Sequence, residues 1–372
     1  MSRNLIICCD GTANQFAADR TNVLKLAFAA QKQDGRQLLY YHPGVGTMAP
    51  AGVISGIGKR IARILGLAFG YGLKVDIRDI YTYIIDHYEP GDQLYIFGFS
   101  RGAYTARAVV SLLHGYGLLG PGNDALVPYA IRLLWGAKEA TTKEGRDAYF
   151  KLAGEFRGAL SVRDIEVRFL GLWDTVSSVG WIANPLSLPD TQKLPNVHTI
   201  RHAVAIDERR AFFRTNLVAA DSKRDICEVW FPGVHCDIGG GYPEAESGLS
   251  KISLDWMICE SKRAGMLFDE DRVQRVLGRD GQGYATPDPR AAIHESLTWR
   301  WWPAEFLFKK HWDKATGKTN WRPNLFRRRH FPDAPVIDDS AWARSEQYSD
   351  RLPRGAIRRS AIKFQGDETS SR

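Results

Sequence analysis

The amino-acid sequence predicts an α/β fold, a mostly parallel central sheet flanked by helices and followed by a C-terminal extension. Three observations carry that expectation. Short apolar runs of strand length recur at Leu5 to Cys9, Leu38 to Tyr41, Gln93 to Gly98, Glu166 to Leu172, His202 to Ile206 and Glu228 to Val234. Segments with helical apolar spacing lie among them, at Thr21 to Ala30, Val75 to Tyr88 and Arg101 to Leu113. Turn punctuation separates the two kinds, as at His42-Pro43-Gly44 and Pro90-Gly91-Asp92. Strands that alternate with helices favour parallel βαβ units with helices on both faces.

Taken in order, Leu5 to Cys9 reads as a buried strand that enters the loop Asp10-Gly11-Thr12. Thr21 or Asn22 can cap the first helix, because a short polar side chain there accepts from an open N–H of the first turn. Residues 44 to 74 are rich in glycine and small apolar residues, interrupted by Lys59, Arg60, Arg63 and Lys74. Within them, 52 to 74 reads as a lid, an interfacial helix or a buried helix with basic ends. From about Ala285 the character changes, with Trp299, Trp301, Trp302, Trp312 and Trp321 set among lysines and arginines. The expected organisation is a catalytic domain over 1–284, a basic Trp-rich extension packed on it over 285–365, and a disordered polar tail over 366–372.

Composition narrows the function classes. Hydrophobic residues are 44% and charged residues 25% of 372, the balance of an ordinary globular protein. The sequence contains no uncharged apolar stretch of about 18 residues, so no membrane-spanning helix is expected. The N-terminal apolar run has no small-residue cleavage site and reads as a strand, which makes a cytoplasmic location the expectation, compatible with export by a signal-independent secretion system. Cys8, Cys9, Cys227, Cys236 and Cys259 are odd in number and lack CxxC spacing, so neither a disulfide framework nor a zinc site is implied. A net charge of +8 suits anionic partners such as phospholipid surfaces. No nucleic acid is expected, for want of a reading motif.

Gly98-Phe99-Ser100-Arg101-Gly102 matches G-x-S-x-G directly after a strand pattern and directly before a helix. That context is a nucleophile elbow: the serine occupies a strained turn, and glycines two residues to either side let strand and helix approach closely. A hydroxyl needs a base, and the base needs an acid to fix its tautomer. Asp174 is the first polar residue after the apolar run Phe169 to Trp173. Among nine histidines, His235 stands best placed as base, between a strand end and Gly239-Gly240-Gly241, where it is expected to swing freely over the serine. His42 is its main rival, His202 reads as structural, and His294, His311 and His330 as surface or packing residues. Backbone N–H groups of Arg101 and of Gly11 or Thr12 are the candidate oxyanion donors. The expected fold is therefore α/β-hydrolase-like, and the chemistry acyl transfer at Ser100 without a cofactor.

With these residues in place, the chain resembles the α/β hydrolases typed as domain of unknown function 2235 (DUF2235), related to the phospholipase effectors of the first Tle class delivered by type VI secretion. CCDGTANQ with TNVLKLA, YYHPGVGT, GLAFGYGL, PGDQLYIFGFSRGAYTAR, FLGLWDTV, AIDERRAFF and VWFPGVHCDIGGGY carry the likeness over roughly residues 5 to 260. The resemblance implies hydrolysis of carboxylic esters, with phospholipids as substrates, and a nucleophile, acid and base at Ser100, Asp174 and His235.

Three alternatives accompany this expectation. A patatin-like dyad would pair Ser100 with Asp237 and dispense with histidine. A non-catalytic hydrolase-fold binding module would show no turnover. Asp10, Asp174 and Asp237 could share a hard cation if the fold gathered them, although no calcium-loop spacing is present and no metal is expected. The Trp-rich stretch from Trp299 to His330 reads either as an interfacial patch, with Lys309, Lys310, Arg327, Arg328 and Arg329 facing anionic lipid, or, more simply, as a packed subdomain with a charged rim.

Overall fold

A computed structural model describes residues 2–11, 20–32, 35–44, 69–140, 142–176, 180–181, 184–185, 188–313 and 318–361. Thr12, most of the 52–74 stretch and the tail from Gly366 lie outside the described residues. Eight strands form one sheet: β1 (Asn4–Cys9), β2 (Gln37–His42), β3 (Gln93–Phe99), β4 (Val167–Trp173), β5 (Val197–Ala205), β6 (Asp225–Phe231), β7 (Val336–Ile337) and β8 (Ile357–Arg358). Their order is β8-β7-β6-β5-β4-β3-β1-β2, and every neighbouring pair is parallel.

Successive strand residues point to opposite faces, and both faces are covered. Leu5, Ile7, Leu94 and Ile96 pack with Ile77, Ile80, Val109 and Leu112, from the helices α2 (Phe69–His87) and α3 (Arg101–Tyr116). Ile6, Cys8, Tyr95 and Phe97 pack with Val23 and Leu26 of α1 (Asn22–Ala29) and with Leu254 and Met257 of a later helix, Gly248–Arg263. Double burial is why these strands read as unbroken apolar runs. The helices α4 (Val127–Glu139) and α5 (Lys143–Leu160) extend the first layer. Thr21 caps α1, its hydroxyl accepting from Leu24 N at 3.2 Å, whereas the Asn22 amide reaches the carbonyls of Ile238 and Ser250, both at 2.8 Å. Among the described residues, no helix is long and apolar enough to cross a membrane.

Two strand boundaries differ from expectation for one reason. β5 begins at Val197 rather than His202, and β6 at Asp225 rather than Glu228. The polar residues among those added are paired: Arg201 bonds Asp225 and Glu260, and Thr199 Oγ1 donates to Asp225 at 3.2 Å. Burial of such groups is tolerated once each finds its partner.

Candidate active site

The carboxyl ends of the central strands deliver the site. Ser100 joins β3 to α3 with φ 59°, a left-handed conformation that a serine adopts only when its surroundings impose it. The two glycines of the motif sit where a side chain has no room. A Cβ on Gly98 would lie 2.6 Å from Ala103 Cα, and one on Gly102 would lie 2.2 Å from the Cys9 carbonyl oxygen. Gly102→Ala is accordingly expected to cost about 2–3 kcal/mol, the scale of overpacking a closed interior, read as a lower urea midpoint. A wild-type midpoint would show that the elbow has slack.

His235 follows β6 through Gly233, whose φ of 123° makes the turn, and opens the short helix α6 (His235–Gly239). Its Nε2 lies 2.8 Å from Ser100 Oγ and its Nδ1 2.6 Å from Asp174 Oδ2. With Nδ1–H donating to the carboxylate, Nε2 is left to accept the serine proton. Free swinging is not observed. The ring is buried between Phe99, at 4.7 Å, and Phe213, edge-on at 4.8 Å, because Cys236 to Gly239 coil into a helical turn instead of a loose loop. Burial pushes the imidazole below its ordinary value, and the opposing pull of Asp174 does not restore it.

Asp174 ends β4 in a second left-handed conformation, φ 38°. Its Oδ1 accepts from Ala205 N at 3.0 Å, and both oxygens accept from the guanidinium of Arg329, which also donates to the carbonyls of Ala205 and Phe213. Burial by itself would raise the carboxyl; Arg329 and the His235 hydrogen bond outweigh it and hold Asp174 well below the usual carboxylate range. Behind His235, Glu208 accepts from the backbone of Arg209, Arg210 and His235 and pairs with the Arg210 side chain. Against burial, Arg210 brings Glu208 down to about 2.

The remaining candidates separate clearly. Arg101 heads α3, so its N–H belongs to the open first turn beside Ser100. Gly11 departs from expectation: its N–H donates to Asp10 Oδ1 at 2.7 Å, because that carboxylate caps its own turn while accepting from Thr21 Oγ1 and Tyr41 OH. Asp237 does not serve Ser100 either. Its carboxylate accepts from Val234 N at 3.0 Å and from His294 Nδ1 at 2.6 Å, a cap and a brace for α6. His42 stands near Asp76 and Asp79, at 3.8 and 3.9 Å. Among the described residues, no three His, Cys, Asp or Glu side chains cluster to hold a metal ion.

Two residues that the interfacial reading would turn to lipid face inward instead, as a packed subdomain allows. Lys309 is buried and donates to the Ala211 carbonyl at 2.7 Å, and Arg329 sits on Asp174. Sequence reasoning missed Arg329 and Glu208 at the site. Arg329 lies 155 residues from Asp174 within a run of three arginines, and nothing local distinguishes it from Arg327 and Arg328.

Parallel strands whose carboxyl ends bring a serine, an imidazole and a carboxylate to one point define an α/β protein of the hydrolase type. Residues 3–260 match the family described as type VI secretion system phospholipase effector, Tle1-like, catalytic domain, and the chain belongs to that family. The uncharacterized protein YEL023C of Saccharomyces cerevisiae is 34% identical over 221 residues, 57% of this chain and 32% of that protein. An uncharacterized protein from Pseudomonas aeruginosa of known crystal structure is 21% identical with a TM-score of 0.44, over 77% of this chain and 51% of its own. The Tle1 effector bound to the VgrG spike of the type VI secretion system is 20% identical with a TM-score of 0.37, over 67% of this chain and 52% of its own. The chain thus spans about a third of the yeast relative and about half of each solved chain.

Proposed function

We propose that this chain is a serine hydrolase that cleaves carboxylic esters of lipids or phospholipids through an acyl-enzyme. The observation that carries this is the continuous hydrogen-bonded path from Ser100 Oγ through His235 to Asp174, at 2.8 and 2.6 Å. His235 Nε2 takes the serine proton as Oγ attacks the ester carbonyl. Ionised Asp174 holds the Nδ1–H tautomer and stabilises the imidazolium that forms. The oxyanion develops at the start of α3, where the Arg101 N–H and the positive end of the helix face it. The imidazolium then returns the proton to the departing alkoxide, and a water activated by the same histidine releases the acid and restores Ser100. Arg329 keeps Asp174 ionised throughout, so the segment beyond Ala285 belongs to the working unit rather than to an appendage. A lipid substrate, and a role as an exported effector, extend the family's description to this chain.

A fluorophosphonate probe and a soluble short-chain ester test the proposal together. Ser100 is expected to be the labelled residue, and Ser100→Ala to lose labelling together with about 10⁶-fold of kcat. Label on any other residue, or turnover in that variant, would refute it. The pH profile carries a second expectation. The base works only when neutral, so kcat/KM falls as pH drops through the His235 pKa. Since burial lowers that pKa, half-maximal activity should lie below the ordinary imidazole value of about 6.5. An acid limb above that value would contradict the buried, neutral imidazole.

A further inference from the structure

We infer that residues 299–313 and 318–328 form a docking surface for a lipid bilayer with anionic headgroups, placed beside His235. The segment lies beyond the residues matched by the family, so family membership does not supply this surface. Large apolar side chains stand in solvent along it: Trp299 is 72% exposed, Phe308 62% and Phe306 57%, with Trp302, Trp321 and Leu325 also exposed. Isolated exposed apolar residues are common, but a contiguous group marks a surface meant to be covered.

Trp302, Phe306 and Phe326 are contiguous. The Phe326 ring meets Trp302 at 5.8 Å and Phe306 at 5.9 Å, and Lys310 stands over Trp321 across a two-stranded hairpin (Lys309–Asp313 with Lys318–Arg322) at 5.7 Å. Buried Glu305 fastens the two halves. Its carbonyl accepts from Asn324 N and Leu325 N, and its carboxylate from Phe326 N and the Asn324 amide. Leu325 and Phe326 are thereby held in consecutive left-handed conformations, φ 50° and 60°. Bulky residues avoid that region, and the fold uses the turn to set a leucine in water.

Charge identifies the occupant. Residues 299–313 and 318–328 carry seven Lys and Arg against two Asp and Glu, a net +5 of the whole chain's +8. One acid, Glu305, and one cation, Lys309, are buried, which leaves the positive excess unchanged. Aromatic rings beside exposed Arg300, Lys310 and Arg327 match the depth profile of an anionic interface, rings at headgroup level and cations at the phosphates. A second copy of this chain would bring +5 against +5. The surface also adjoins the site: Trp301 meets Phe213 edge-on at 5.7 Å, and Phe213 meets His235 at 4.8 Å. A bilayer seated here presents its esters next to Ser100, so the purpose of the surface rests on the proposed hydrolase activity, while its existence does not.

The test uses the full chain carrying Ser100→Ala, with vesicles of phosphatidylcholine alone or with phosphatidylglycerol added. Co-sedimentation, and quenching of tryptophan by brominated acyl chains, are expected only with phosphatidylglycerol, and both should weaken with salt. Adding Trp299→Ser, Phe306→Ser and Phe308→Ser should lower vesicle binding by about tenfold or more, with an unchanged circular dichroism spectrum. Phe150→Ser, at an exposed ring on α5, should bind like its parent. Absent binding, binding indifferent to lipid charge, or binding unchanged by the triple replacement would each overturn the proposal. A dimer in sedimentation velocity that the triple replacement dissociates would overturn it in favour of self-association. Soluble-ester turnover with Ser100 intact separates the two proposals. If it is absent while vesicles are bound, the hydrolase assignment fails alone; if it persists in the triple variant without vesicle binding by the parent, the docking surface fails alone.

Discussion

Alanine at position 235 is expected to reduce kcat on a soluble ester by about 10⁶-fold with little change in KM, a loss as deep as removing the serine itself. In the proposed triad Ser100 and His235 act as a unit, so deleting either would leave only substrate binding and the oxyanion donors at work. Asp237, the partner a histidine-free dyad would need, gives its oxygens to Val234 N and to His294. The ring of His235 is also wedged between Phe99 and Phe213, so a melting curve should accompany the kinetics. Activity within about tenfold of wild type in a folded His235→Ala would revive the dyad and end the triad proposal.

Removal of the Arg329 side chain is expected to be the most damaging change outside the three reacting groups. The guanidinium and the Asp174 carboxylate are nearly dry, with side-chain exposures of 6% and 1%. Breaking such a pair strands a charge in the interior and costs about 3–5 kcal/mol. Arg329→Ala should show that loss in urea denaturation at neutral pH. The sign of the pH dependence follows from the depressed Asp174 pKa: the stabilisation is complete above the unfolded carboxyl value of about 3.9 and fades as pH falls toward the folded one. Wild type and variant should therefore converge in acid. Loss of the cation also favours the imidazolium, so the acid limb of kcat/KM should move to higher pH, and Arg329→Lys, a point charge without the planar fork, should restore only part of either effect. A variant as stable as wild type with an unmoved limb would reduce Arg329 to packing.

What the sequence disclosed follows from how far apart the cooperating residues lie. β1, β3 and β4 were legible because burial on both faces left their apolar runs intact. The first half of β5 was not, since His198, Thr199 and Arg201 look solvent-facing until Asp225 and Glu260 arrive from elsewhere to pair with Thr199 and Arg201. β7 and β8, two residues each, are too short for any periodicity. At the site, Ser100 announces itself through the glycines that crowding enforces, and Asp174 and His235 through their positions just after apolar strands. Arg329 and Glu208 have no local mark; only the folded chain selects one arginine of three. The direction of the Gly11 N–H depends on a single side-chain rotamer of its neighbour, which no spacing encodes.

The late position of Arg329 has a bearing on how the protein is made. Translation supplies the serine, the acid and the base well before the guanidinium that neutralises the acid, and before Asp338 N bonds the Trp230 carbonyl where β7 pairs along β6. A chain that stops short of that point lacks the guanidinium that pairs with both Asp174 oxygens. The proposed triad therefore gains its countercharge only once residue 329 has been made and has folded back onto the end of β4.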